Sequence, residues 1–86
     1  MNVGVLCFAS AGGSGTVATG LACELARQGH AVHVIAPARP FRLDPLPNGI
    51  RFHALCGEGD PAVAARSVAD VALAERLDVL HAHYAA

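Results

Sequence analysis

Residues 3–29 read VGVLCFASAGGSGTVATGLACELARQG, and this stretch decides the fold. It begins with a continuous apolar run over 3–8, which is typical of a strand buried on both faces of a parallel sheet. Small residues over 9–14 predict a turn. From 15 to 28, apolar side chains recur at three- and four-residue steps, which predicts a helix with one apolar stripe. Gly29 supplies the left-handed stop of that helix.

Strand and helix signals continue to alternate along the rest of the chain. Residues 31–36 predict a second buried strand, and 50–55 predict a third. The segment between them, 37–49, holds four of the five prolines and is interpreted as a loop. Pro61 suits the first turn of a second helix, with Asp60 placed to cap it.

A fourth strand is predicted over residues 78–83. The resulting order of elements indicates a Rossmann-like α/β domain with three layers, αβα. Short, right-handed connections favour a parallel sheet in the strand order 3-2-1-4. In such a sheet, ligands bind at the carboxyl ends of the strands where the strand order reverses. The turn after strand 1 and the end of strand 4 are therefore expected to face one another across a crevice.

The composition is that of a small packed globule. Hydrophobic residues make up 53% of the 86 residues and charged residues 15%, which excludes a disordered chain. The net charge is −1 and there is no basic stripe, so nucleic acid is not an expected partner. Neither a signal peptide nor a membrane anchor is expected from the sequence. Three cysteines without a CxxC spacing are typical of reduced thiols in a cytoplasmic protein.

The first candidate site is the glycine loop, formed by Gly12, Gly13, Ser14 and Gly15. Glycines let a backbone turn tightly and approach a ligand, and a helix N-terminus offers free N–H groups to an anion. The spacing Gly13-x-Gly15-x-x-Ala18 also fits a relaxed dinucleotide fingerprint. A plain tight turn is the alternative. A nicotinamide site is disfavoured because no acid ends strand 2, and a Walker loop because the chain has no lysine.

Two other places in the sequence hold candidate ligand-binding residues. His81 and His83 alternate, so both are expected on one face of strand 4. No third metal ligand is evident near them, and a polar side chain closing the crevice is favoured over a metal site, above all for His83. Arg42, in the loop after strand 2, suits bidentate binding of a carboxylate or phosphate. A solvated arginine, or a local pair with Asp44, is an equal alternative.

Four segments together resemble the N-terminal domain of family 4 glycosyltransferases of the GT-B fold. In chain order they are 7–19 (CFASAGGSGTVAT), 29–33 (GHAVH), 40–44 (PFRLD) and 80–85 (LHAHYA). The resemblance covers nearly the whole chain, and the glycine loop and the PFRLD stretch are its most specific parts. It is strongest to family members that act in bacillithiol biosynthesis. Between the third strand and the second helix, at 56–61, this chain is shorter than those members.

The resemblance implies a retaining transfer of N-acetylglucosamine from UDP-N-acetylglucosamine to the hydroxyl of an acceptor, L-malate, without a metal or other cofactor. It implies that residues 1–86 are the acceptor-side part of the N-terminal domain and hold no catalytic residue. The domain that binds the nucleotide sugar would lie C-terminal to the chain. The glycine loop would line the cleft, with His83 and Tyr84 across from it.

Two other interpretations stay open. One is a free-standing Rossmann-like module that binds a nucleotide or a partner without catalysis. The other, disfavoured by the missing acid, is a fragment of an NAD-dependent oxidoreductase. As part of a larger domain, the chain alone is expected to be inactive and to self-associate through uncovered apolar surface and an unpaired strand edge.

Overall fold

The computed structural model describes residues 1–7, 13–37, 47–55 and 59–83, with only the backbone described for 13–17 and 83. The elements are β1 (Asn2–Cys7), α1 (Gly13–Arg27), β2 (Ala31–Ala36), β3 (Ile50–Ala54), α2 (Pro61–Ala74) and β4 (Val79–His83). Every helix and strand predicted from the sequence is present, and the predicted first residues differ from the observed ones by two at most.

The four strands form one parallel sheet in the order β3-β2-β1-β4, which confirms the predicted Rossmann-like α/β arrangement. β2 lies on one side of β1, with Val3 opposite Val32. β4 lies on the other side, with Cys7 opposite His83. The strand order therefore reverses between β1 and β4, as predicted.

α1 and α2 cover opposite faces of the sheet, because alternate residues of a strand point to opposite sides. α1 buries Ala18 and Ala22 in a core cluster with residues of β1, β2 and β3, namely Val3, Val5, Cys7, Val32, Val34, Ala36 and Ile50. α2 packs on a smaller cluster made by Leu6, Ile35 and Leu55, to which it contributes Ala64, Val68 and Val71.

The α1 layer is packed more closely than the α2 layer. Ala18 and Ala22 are 1% and 0% exposed, so small side chains bring α1 close to the sheet. No residue of α2 is buried, and Leu73 is 79% exposed. α2 is therefore held on the sheet by partly buried side chains alone, such as Val68 and Val71.

The helix ends that the sequence predicts are confirmed. The Asp60 carboxylate accepts hydrogen bonds from the backbone N–H groups of Ala62 at 3.1 Å and Val63 at 3.4 Å. Gly29 has a φ of 97°, and the His30 N–H beyond it donates to a carbonyl of the last turn of α1. Neither helix of the described residues is long and apolar enough to cross a bilayer.

α2 ends in the left-handed conformation without a glycine. Arg76 has a φ of 53°, and the Leu77 N–H donates to the Ala72 carbonyl at 3.0 Å. Leu77 then lies on β1 at Gly4, where an added Cβ would be 2.6 Å from the Leu77 Cδ1 atom. A glycine at position 4 therefore gives the segment after α2 room to approach the sheet.

Candidate functional site

The elements that were expected to form the crevice meet at the carboxyl edge of the sheet. β1 ends at Cys7, and the next described residue, Gly13, begins α1. His83 ends β4 directly opposite Cys7. The first turn of α1 carries backbone N–H groups without intrahelical partners, which is the feature that binds anions at helix N-termini.

The predicted site residues fall into two groups. Three of them lie outside the described residues: Gly12, Arg42 and Tyr84. For the others the backbone alone is described: Gly13, Ser14 and Gly15 are the first residues of α1, and His83 is the last of β4. These backbone positions suit a ligand site where the strand order reverses, and the contacts of the side chains stay a prediction.

A second polar cluster lies on the α2 face of the sheet and was not predicted from the sequence. The His33 Nδ1 atom on β2 is 3.0 Å from the His53 Nε2 atom on β3, and the two rings are tilted by 30°. The Glu75 Oε2 atom, at the end of α2, is 4.0 Å from the same His53 nitrogen. We call these three residues the His–His–Glu cluster.

Strand periodicity and the turn after α2 position the cluster. Ile35 and Leu55, which pack under α2, lie two residues beyond His33 and His53, so all four share one face of the sheet. Glu75 is the C-cap of α2, and its N–H donates to a carbonyl within that helix.

The turn after α2 is tied to the start of β1. The Asn2 side-chain amide donates to the Glu75 carbonyl at 3.1 Å. The Asn2 N–H donates to the Asp78 carboxylate at 2.7 Å, and the Asp78 N–H donates to the Asn2 carbonyl at 2.7 Å. These hydrogen bonds hold the turn that begins at Glu75 beside the sheet.

The surroundings of His33 lower the pKa of its imidazole. His33 is 4% exposed, and this burial is the main cause that lowers its pKa. The nearby Glu75 carboxylate raises it, while His53 and Arg51 lower it further. A neutral imidazole keeps one ring nitrogen free to accept a hydrogen bond or to bind a metal.

A cavity of about 630 Å³ opens beside the cluster at the amino edge of the sheet. It is lined by the first residues of three strands, Asn2, Ala31 and Ile50, and by His33, Arg51 and Glu75 among others. The Arg51 Nη1 atom is 3.9 Å from the Glu75 Oε1 atom, so the two oxygens of Glu75 face different partners. This cavity and the predicted crevice are at opposite ends of the strands.

Only part of the cluster could have been recognised from the sequence. His33 and His53 lie within predicted strands, but each is surrounded by ordinary apolar strand residues. Their contact depends on the register between β2 and β3, in which Ile35 lies opposite His53. Glu75 is distant from both histidines in sequence and forms no local motif with them. It lies near them only because α2 packs on the sheet.

Comparison with known proteins identifies the family. Residues 11–86 match the model of Glycosyltransferase Family 4. The chain is 39% identical over 94 residues to the N-acetyl-alpha-D-glucosaminyl L-malate synthase of Bacillus anthracis, with 99% of this chain and 24% of the relative covered. It therefore spans about a quarter of the length of that curated relative. Since the family match includes both helices and three of the four strands, the chain belongs to glycosyltransferase family 4.

Proposed function

We propose that this chain is the acceptor-side part of an enzyme that transfers N-acetylglucosamine from UDP-N-acetylglucosamine to the hydroxyl of L-malate. The observation that carries the proposal is the 39% identity, over 99% of the chain, to a relative named for N-acetyl-alpha-D-glucosaminyl L-malate. The shared family supports sugar transfer, and the relative's name supports the sugar and the acceptor. A cytoplasmic location, expected from the cysteines, is part of the same proposal.

In the proposed reaction, the bond between the sugar C1 atom and the UDP oxygen breaks, and a bond from C1 to the malate hydroxyl oxygen forms. The O–H bond of malate breaks in the same step, and its proton passes to the departing diphosphate. Negative charge grows on the departing diphosphate. The first turn of α1, at Gly13, Ser14 and Gly15, offers free N–H groups and the positive end of the helix dipole to that charge. Such preorganised donors stabilise a transition state without a metal, and the proposal includes no cofactor.

The acceptor is assigned to the same edge of the sheet. Arg42 lies in the segment after β2, which leaves the sheet at its carboxyl edge, and its guanidinium matches the carboxylates of malate. His83 ends β4 beside β1, and Tyr84 follows it. These two residues, with Gly12, are proposed to complete the wall of the crevice.

An acceptor assay tests the proposal. The protein that contains this chain together with its C-terminal domain is incubated with UDP-N-acetylglucosamine and either L-malate, D-malate or no acceptor. We expect UDP release and a glycosylated malate with the L-isomer, detected by mass spectrometry. Transfer to a different acceptor would contradict the assignment of malate, and nucleotide binding without transfer to any acceptor would favour a binding module.

A substitution at Arg42 distinguishes an effect on acceptor binding from an effect on donor binding. In the same protein, Arg42→Ala should raise the KM for L-malate at least tenfold and that for UDP-N-acetylglucosamine much less, because a lost charge-assisted hydrogen-bond pair is equivalent to roughly 1.5–3 kcal/mol. Arg66→Ala, on the exposed side of α2, serves as the matched control. Equal effects on both constants, or none, would indicate that Arg42 is a solvated side chain.

A further inference from the structure

We propose that the His–His–Glu cluster binds one divalent first-row transition-metal ion, with Zn²⁺ as the reference case. The cluster offers two imidazole nitrogens and one carboxylate oxygen. Three protein ligands of these types, with a fourth position left to water or a small ligand, are a common set for Zn²⁺. The site lies at the opposite edge of the sheet from Gly13 and is independent of the proposed transfer reaction.

The spacing of the donor atoms is close to that of a tetrahedral site. Metal–nitrogen and metal–oxygen bonds of about 2.0–2.2 Å place neighbouring tetrahedral donors about 3.4 Å apart. The His33 Nδ1 and His53 Nε2 atoms are 3.0 Å apart, and the Glu75 Oε2 atom is 4.0 Å from the latter. All three donor atoms lie within 4.8 Å of one another. Small side-chain movements therefore bring them to bonding distance of one ion.

The residues that must move are the ones with room to do so. His33 is held in the core at 4% exposure, whereas the side chains of His53 and Glu75 are 21% and 28% exposed. A rigid ligand with two adjustable ones closes on an ion without disturbing the sheet. The backbone of Glu75 stays fixed by Asn2, so only its side chain has to rotate.

Without a metal, a hydrogen bond joins the two histidines, and its proton lies between their ring nitrogens. The His33 Nδ1 and His53 Nε2 atoms, 3.0 Å apart, share a hydrogen bond in which one ring donates and the other accepts. A bound ion replaces that bond by two nitrogen–metal bonds, and the ring proton moves to the other nitrogen of the same ring. Burial lowers the pKa of His33 and so favours the uncharged imidazole, which is the form that binds a metal.

The cavity beside the cluster gives an ion a route of entry. His33 and Glu75 both line it, so the fourth coordination position faces open space. Arg51 forms an ion pair with Glu75, at 3.9 Å from Oε1, but its side chain is 74% exposed and solvent screens its repulsion of a metal. The other oxygen, Oε2, is the one turned toward His53.

A Co²⁺ titration followed by Zn²⁺ competition tests the proposal on the metal-free chain. We expect one Co²⁺ per chain and the visible absorption of a tetrahedral ion, without the near-ultraviolet band of cobalt bound to thiolate. Zn²⁺ should displace it. At a hundredfold excess over Kd, Zn²⁺ should raise the Tm by on the order of 10 °C.

Substitutions of the proposed ligands test whether the ion binds at the His–His–Glu cluster. Glu75→Gln keeps the size of the side chain, and His53→Ala removes a half-buried ring; each should weaken Zn²⁺ binding by at least about tenfold. His81→Ala is the control, because His81 is exposed on β4 and pairs with Val5, which faces α1. Circular dichroism verifies folding, and Glu75→Gln decides if His53→Ala fails to fold. No binding, a thiolate band, or unchanged affinity in Glu75→Gln would overturn the proposal.

Discussion

Solvent reaches the thiols of Cys7 and Cys23 to different degrees. Cys7, the last residue of β1, lies in the core that the sheet forms with α1 and is 1% exposed. This burial raises the pKa of its thiol. Cys23 is only partly buried at the edge of the same core. The thiolate is the form that reacts with alkylating agents, and a raised pKa leaves less of it at any given pH.

Iodoacetamide should therefore modify Cys23 at least about tenfold faster than Cys7 in the folded chain at pH 8. Tandem mass spectrometry distinguishes the two sites, and the same reaction in urea, where both thiols are exposed, is the control. Equal rates in the folded chain would show that β1 and α1 do not enclose Cys7.

The ends of α2 illustrate how far local signals determine an element. The sequence predicted the start of α2 because aspartate followed by proline is a local capping signal, and the structure confirms it at Asp60 and Pro61. It gave no corresponding signal for the other end, because Arg76 adopts a positive φ that favours glycine. The segment that follows, at Leu77, lies on Gly4 of β1, which is distant in sequence.

Asp60→Ala should lower the free energy of unfolding by about 1 kcal/mol, because two N–H groups of α2 lose their acceptor. The loss should appear as a Tm lower by roughly 4–8 °C for a chain of this size. Asp60→Asn retains an acceptor oxygen and is expected to stay close to the parent. A loss of the same size in both variants would point to charge and not to capping.

Arg76→Gly should raise the free energy of unfolding by about 0.5–1 kcal/mol, because glycine adopts a φ of 53° without the steric cost of a Cβ. Urea denaturation measures the change as a shift of midpoint at constant m. Arg76→Ala removes the charge but keeps the Cβ, so it should bring no gain. A gain in the alanine variant equal to that in glycine would assign the effect to charge.

At the scale of the whole molecule, the strand order was predictable and the contacts across the sheet were not. Right-handed crossovers restrict a chain of this element order to few sheets, and the observed order 3-2-1-4 is the favoured one. The facing of β1 and β4 followed from that order. The contact of His33 with His53 did not, since it requires the register of β2 against β3.

The edge of the sheet at β4 leads to a prediction about self-association of the chain. β4 pairs with β1 on one side, and among the described residues Val79 and Leu80 of β4 are 46% and 43% exposed. An unpaired strand edge with apolar side chains promotes association between copies. The 86-residue chain alone should form oligomers with rising concentration in light scattering, and Val79→Lys should reduce them. A monomer at every concentration would contradict this expectation.

The proposed substrate crevice at the reversal of strand order is tested most directly at Gly13, the first residue of α1. If the proposal holds, a side chain there would take space that the diphosphate or the acceptor needs at the helix N-terminus. Gly20 lies in the same helix, is exposed and has no atom within 4 Å of an added Cβ, so Gly20→Val is the matched control.

The measurement is turnover and Tm on one preparation of each variant, in a protein that joins this chain to the nucleotide-sugar domain of the proposal. Gly13→Val should reduce transfer by on the order of a hundredfold, equivalent to roughly 2.7 kcal/mol of transition-state stabilisation. Its Tm should fall no further than that of Gly20→Val, which should keep its turnover. A Gly13→Val protein that loses stability but retains turnover once folded would show that the loop is only a turn and that substrates bind elsewhere.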